Sequence, residues 1–397
     1  MSAEQYTRTY ASTATTDYFI FVNKFIFVCG MPNIWVEQAK LPQIFIKFQY
    51  LYNKLIIALL SFFVLFEWLT IFTQNDLNEK QHLDRFLFCL SHPTMYIFCM
   101  SIVIYEDLIQ DVLWQFTVVM KRLHNDEDIE RQMIKRCKYY VWAFCGTCSS
   151  SLFAYGFNGI MQACSGGTFT TVVTAWPDVN AKGFYEDVVR VMVYVVWWIF
   201  MIRMSATYVL VISLVIVCSH QYKNLQSYFY SLTDIFDRTY LTQEEKENIY
   251  LKRLRAGIKM HGYTSLCHTT CNIVISGQIA INTCVIVLLL AQMVNSERSL
   301  SSVSTVLTTL LCLLMTTGFF MWNAGDVNAE LVLAMYFSGW EHCQTHAAVR
   351  VRKLLVIAMI QANVSKYHME APRAGLLPNF RWYRIVRFAY SIFSVLF

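Results

Sequence analysis

Apolar residues along this chain fall in long blocks, and most charged residues sit in the stretches between them. A helix that crosses a bilayer needs about 20 consecutive, mostly apolar residues. Seven blocks reach or approach that length: Tyr50–Phe72, Phe86–Tyr105, Tyr139–Met161, Val188–Cys218, Thr264–Val294, Leu300–Trp322 and Phe380–Phe397. The first has LIIALLSFFVLFEWLTIF at its heart, and the last runs to the final residue of the sequence. Between the sixth and seventh, Leu331–Ile360 is amphipathic and carries Glu341, His342, Arg350, Arg352 and Lys353, which predicts a helix outside the bilayer. The first twenty residues are polar and lack the basic-then-apolar layout of a secretion signal.

Composition agrees with this pattern. Of 397 residues, 56% are hydrophobic and 15% charged, with a mean hydropathy of +0.40. A soluble domain carries about 25% charged residues. The 14 Gly and 6 Pro are too few for a loop-rich or disordered chain. A soluble enzyme, a collagen-like rod and a disordered tail are excluded, and the fold class is an all-α membrane protein with seven transmembrane helices. The net charge of +5 is no nucleic-acid signal, because the basic residues are spread over the inter-span segments and form no single patch.

The distribution of those basic residues orients the chain. Of 32 Lys and Arg, 26 lie before or at the entry to the first span (Lys54 is at its start), between the second and third, between the fourth and fifth, or from Arg350 to Arg387. Five, Lys80, Arg85, Lys182, Arg190 and Arg298, lie on the other side, and Arg203 is inside the fourth span. The positive-inside rule places the N-terminus in the cytoplasm, and seven crossings place the C-terminus outside. The expected organisation is a cytoplasmic N-terminal region with a re-entrant or interfacial helix (1–49), six spans (50–322), a cytoplasmic anchor helix and linker (323–379) and a last span (380–397). A G-protein-coupled receptor has the opposite orientation. Its usual marks are also missing: the last span has no Asn-Pro-x-x-Tyr, and Asp237-Arg238-Thr239-Tyr240 follows the fourth span instead of the third.

Few residues suggest reaction chemistry. No phosphate-binding Gly-Lys-Ser/Thr, no Gly-x-Ser-x-Gly and no acidic pair inside a span occurs, so an enzyme reading has no supporting residues. No cofactor is implied. His342 and His346 flank Cys343 at helical spacing but have no third ligand in register, so no metal is expected. Most of the 13 Cys lie within spans, Cys145 and Cys148 among them, which implies no disulfide framework. Arg203 in mid-span requires a partner, a wet cavity or a side chain reaching to the inner interface, and the last is the favoured reading. In the last span Phe388, Ser391, Ile392 and Val395 recur at i, i+3, i+4 and i+7 on one helical face, which either lines a pore or packs on a neighbouring span.

The C-terminal 75 residues carry a resemblance. Gly325, Tyr336 and Trp340, with the ending Arg387-Phe388-Ala389-Tyr390-Ser391-Ile392-Phe393-Ser394-Val395-Leu396, are similar to the C-terminal signature of insect odorant receptors. Phe27-Val28-Cys29-Gly30-Met31-Pro32 resembles that family's Leu-x-x-x-Gly-x-Trp-Pro segment, with Met in place of Trp. Ile258-Lys259-Met260-His261 and Ser276-Gly277 resemble the run into its fifth span. The resemblance implies an odorant-gated, non-selective cation channel of four subunits in the plasma membrane of olfactory neuron dendrites. Each subunit would contribute its last span to the pore, with Phe388, Ser391 and Ile392 lining it and Val395 at the hydrophobic gate. A ligand-tuned subunit would assemble with a shared co-receptor, which has a longer segment between spans four and five than Ser219–Tyr263 here.

An odorant is small and volatile, so its site needs apolar and aromatic walls with few polar groups. The expected pocket lies in the outer halves of spans two to six. Candidate residues are Phe88 and His92, then Ser150, Phe153 and Phe157 on one face of span three, Met192 and Val196 on span four, and Val303 and Val306 on span six. The partners implied are the co-receptor, the odorant and membrane lipid. The alternative is a metabotropic receptor coupled to G proteins, which topology separates. We expect an N-terminal epitope tag on cells to be labelled only after permeabilisation, and a C-terminal tag to be labelled on intact cells. An N-terminal tag reached on intact cells would reverse the orientation and remove the channel reading.

Overall fold

The computed structural model describes residues 13–34, 43–295, 300–325, 330–345 and 347–368, and every regular element among them is helical. The Thr13 hydroxyl accepts from Thr16 N at 3.2 Å and starts α1 (Ala14–Val28), whose apolar side, Phe19, Val22 and Ile26, is buried. Gly30 ends the turn beyond α1 at φ +82, in the left-handed region. A side chain there would also meet Arg203 Nη1 and Ile56 Cδ1 at 3.2 Å, so both backbone and space demand glycine. Met31 then turns into the core against the Cys99 thiol, 3.6 Å away.

The helix α2 (Gln43–Trp68), followed by the short α3 (Thr70–Thr73), buries Ile56, Leu60, Phe63 and Glu67 and exposes Leu51, Leu55, Phe62 and Leu65. One side therefore faces protein and the other is an apolar surface suited to lipid. The helix α4 (Glu79–Ile104) opens on a reciprocal cap between Asn78 and Gln81. It leads through α5 (Glu106–Trp114) and the wide turn Gln115–Val119 to α6 (Met120–Leu123). Asp126 caps α7 (Glu127–Cys164) by accepting from the backbone of Asp128 and Ile129.

The post of the bundle is α8 (Phe184–Tyr230), in which every residue from Ala206 to Tyr222 is buried. An element apolar on all sides belongs inside its own protein, and α1, α2, α4, α7, α9 and α10 all pack on this one. Its 47 residues span about 70 Å, more than twice a hydrocarbon core of about 30 Å. Its partner α9 (Gln243–Asn295) is longer still, at 53 residues. The segment Ser219–Tyr263, which hydropathy marks as a loop, is therefore mostly helix, with only residues 231–242 as the connection. Hydropathy shows where apolar surface ends. The helix continues because Glu, Lys, Arg and Leu in this stretch are good helix formers.

After α10 (Leu300–Gly325), the stretch predicted as one helix over Leu331–Ile360 is instead broken. The helix α11 (Leu331–Tyr336) stops before Gly339, which lies at φ +89, and α12 (Ala347–His368) starts afresh. Trp340 Nε1 donates back to Tyr336 O at 2.8 Å across the break. Glu247 of α9 accepts from Gln344 N at 2.7 Å, from Thr345 N and from the Thr345 hydroxyl, and Tyr250 hydrogen-bonds Ser338 at 2.6 Å. Burial works to raise the Glu247 carboxyl, but these donors outweigh it and hold it below its ordinary range.

Among the described residues Lys47–Thr73, Glu79–Ile104 and Phe184–Ile235 are long and apolar enough to cross a bilayer, and Asn282–Met293 and Val303–Phe319 are shorter apolar stretches. The last predicted span, with Phe388, Ser391, Ile392 and Val395, lies outside the described residues.

The N-terminal helix is held by a buried polar cluster. Glu130 of α7 accepts from Thr15 N at 2.9 Å, from the Thr15 hydroxyl and from Asn125 Nδ2 at 2.8 Å, and pairs with Lys121 at 3.6 Å. Removing one partner of a buried ion pair costs about 3–5 kcal/mol. For Glu130→Ala we expect the lower end, because Lys121 keeps its 2.6 Å bond to Asn125. The variant should melt earlier and lose its N-terminal helix to protease first. Wild-type melting and protection would show that the cluster does not hold α1.

Candidate functional site

Five helices, α4, α7, α8, α9 and α10, which overlap the predicted second to sixth spans, line a cavity of about 90 Å³. One water needs roughly 10–15 Å³ of such space, so the cavity has room for several waters or, with small side-chain adjustments, a small organic molecule. Its walls are Phe88, Phe144, Tyr155, Trp197 and Tyr208, with Met95, Met201 and Met204 filling between the rings. Methionine adapts to irregular shapes, which suits a wall that must fit a guest. Hydroxyls from Ser151, Ser205 and Thr309 interrupt the apolar surface, and among the described residues no Lys, Arg, Asp or Glu lines it. The arrangement can enclose a neutral, largely apolar molecule, and it offers no nucleophile–base pair for a reaction.

Beneath this wall runs a buried hydrogen-bonded chain. Trp197 Nε1 on α8 donates to His92 Nε2 on α4 at 3.1 Å. That nitrogen must therefore be unprotonated, so the ring proton is on Nδ1. Nδ1 lies 2.7 and 2.8 Å from the two oxygens of Glu67 on α2 and donates to that carboxyl. Glu67 and His92 are both buried. Phe88 stacks on the His92 ring with centroids 4.9 Å apart, and Phe200 lies against it at 5.0 Å. Three helices are thus fixed to one another through groups whose unpaired burial would be costly.

The structure places the sequence-derived candidates unevenly. Phe88 and His92 line the cavity. Ser150, Phe153 and Phe157 do not: the last two are 65% and 58% exposed, and Ser150 is exposed with its hydroxyl bonded back to Thr147 O. The wall uses another face of α7, bearing Phe144, Cys148, Ser151, Leu152 and Tyr155. Both faces have helical spacing, and periodicity alone cannot choose between an apolar face turned to lipid and one turned to a cavity. Met192 and Val303 are exposed, Val196 is half-buried outside the wall, and Val306 is buried in the core beside the cavity without lining it. Arg203 does not reach out to an interface. It is 1% exposed beneath the Gly30 turn, and its Nη2 donates to Asn53 at 2.9 Å. Helices α1 and α2 cover it, and hydropathy gives no sign of that packing.

Sequence reasoning missed Glu67, Tyr155 and Trp197. Glu67 carried a usable signal, being a lone acid inside an apolar block, where an ionisable side chain requires a buried partner. Tyr155 and Trp197 had none, because aromatic residues are frequent throughout the first four spans.

No protein-family model and no curated sequence matches the chain. Solved structures do match. The insect olfactory receptor OR5 from Machilis hrabei is similar at a TM-score of 0.72 with 12% identity, over 96% of this chain and 97% of that one. The same receptor in complex with eugenol is similar at a TM-score of 0.68, with the same identity and coverage. The likeness spans nearly the whole of both chains, so this chain has the insect olfactory receptor fold.

The buried chain gives a direct test. Glu67→Ala leaves the His92 Nδ1–H without an acceptor, at a cost of about 1–3 kcal/mol. Glu67→Gln restores a carbonyl acceptor. We expect the alanine variant to melt clearly below wild type in detergent and the glutamine variant to recover most of the loss. Equal melting of all three would show that the chain holds nothing together.

Proposed function

We propose that the chain is the odorant-binding subunit of an odorant-gated, non-selective cation channel in the plasma membrane of olfactory neuron dendrites. It works in a heterotetramer with a shared co-receptor. One observation carries the reading: an aromatic-walled cavity, uncharged among its described lining residues, lies within a fold that matches, over 96% of the chain, an olfactory receptor solved with eugenol. Eugenol is a small neutral aromatic, the chemistry this cavity accommodates. The short connection at 231–242 favours a ligand-tuned subunit over the co-receptor. In this reading the last span supplies the pore, with Phe388, Ser391 and Ile392 along it and Val395 as an apolar ring that gates by dewetting. The bound odorant acts from the cavity on the helices that lead to that span.

The test is whole-cell recording of the chain co-expressed with an insect co-receptor against an odorant panel. Leu152 is in the cavity wall. Leu152→Trp should fill the space and abolish odorant-evoked current at matched surface expression. Leu152→Ala should enlarge it and shift the preferred odorants to larger ones, by about tenfold for one methylene's worth of contact. Unchanged dose–response curves in both variants would mean that odorants act elsewhere.

A further inference from the structure

Most hydroxyls around the cavity are already committed. Ser151 and Thr309 bond to each other at 2.6 Å, Thr309 donates to Thr305 O, Thr316 donates to Cys312 O, and Ser205 meets Cys148. Both ring nitrogens of His92 are taken by Glu67 and Trp197. Tyr155 differs. It lines the cavity from α7, it is buried, and its hydroxyl has no hydrogen-bond partner. The nearby Thr309 hydroxyl falls outside hydrogen-bond geometry with it, and the one proton of that hydroxyl is already given to Thr305 O. A buried hydroxyl is rarely left unpaired, and the cavity is space from which a partner can reach this one. The ring itself is fixed, with Phe88 and Trp197 at centroid distances of 5.6 and 5.1 Å, so the hydroxyl is held in place before a guest arrives.

The charges nearby narrow the guest further. The Glu67 carboxyl lies behind His92, and the Asp84 carboxyl, held by Gln292 at 2.6 Å, is close to Tyr155. Among the described residues no cation lines the cavity to balance an anionic guest. We propose that Tyr155 is the specificity-determining donor of the ligand site, and that the ligands are small neutral ring compounds bearing one hydrogen-bond-accepting oxygen: a ketone, an ether or an alcohol. This rests on the cavity being the odorant site.

The experiment compares probes of one shape that differ in a single atom group. Acetophenone and α-methylstyrene differ by a carbonyl oxygen in place of a methylene. Their binding to the full-length chain in lipid nanodiscs is measured by calorimetry, for wild type, Tyr155→Phe and Leu152→Trp. Wild type should prefer acetophenone by about threefold to tenfold, the worth of one net hydrogen bond. Tyr155→Phe should erase that preference while leaving α-methylstyrene unchanged, and benzoate should bind far more weakly than acetophenone. A preference that survives in Tyr155→Phe, or benzoate binding as well as acetophenone, would overturn the proposal. Leu152→Trp separates the two layers of the argument. If it removes binding of both neutral probes, the cavity is the site and a surviving preference counts against Tyr155 alone. If it leaves both in place, the cavity assignment itself fails.

Discussion

Inside a bilayer no water is available to satisfy a buried polar group, so each such group must find its partner within the protein. The Glu67, His92 and Trp197 chain meets that constraint by joining α2, α4 and α8 in a single hydrogen-bonded line. Each member also supports a wall. His92 and Trp197 line the cavity directly, and Phe88 and Phe200 pack on the His92 ring. The carboxyl behind them fixes the imidazole tautomer, and the tautomer fixes the indole. The cavity's shape therefore depends on a group that does not line it.

The long helices extend this rigidity. Helix α8 is buried on all sides through its middle and continues unbroken from the cavity to Tyr230. Helix α9 begins near the Glu247 cluster, which holds the break between α11 and α12, and runs on to the cavity wall at Asn282 and Val285. The cavity and the far end of the bundle are thus built on the same two stiff elements. The second polar cluster, Glu130 with Thr15, Asn125 and Lys121, secures α1 to the start of α7. These clusters, with the Arg203–Asn53 contact beneath Gly30 and the Asp84–Gln292 bond between α4 and α9, are among the buried polar contacts of the described bundle, and each joins elements that are distant in sequence.

Much of this fold was legible in the sequence. Apolar blocks fell on α2, α4, α8 and α10, because burial in lipid or protein leaves a direct compositional mark, but only α10 was matched at both ends; the starts of α2 and α4 lie seven residues earlier than the blocks, and α8 runs twelve residues further. The extensions of α8 and α9 were not legible from hydropathy, which reports environment and not backbone conformation. The break at Gly339 was visible as a glycine, but its left-handed conformation was not. Of the residues expected on aromatic and apolar character alone, Phe88 and His92 line the cavity. Ser150, Phe153 and Phe157 were chosen over Ser151, Leu152 and Tyr155 because two faces of one helix differ by a single residue's rotation, about 100°, and both carry aromatic and small polar groups. Which face turns inward depends on the tilt of α7 against α8 and α10, and that is a property of the packed bundle.

The central claim is that a small neutral guest occupies the space between α4, α7, α8, α9 and α10. The most direct measurement is a structure of the whole chain with 4-bromoanisole, whose heavy atom marks its position. The account predicts density for the ring between Phe88, Tyr155 and Trp197, with the ether oxygen towards the Tyr155 hydroxyl. An empty cavity, with the bromine bound elsewhere on the chain, would contradict it.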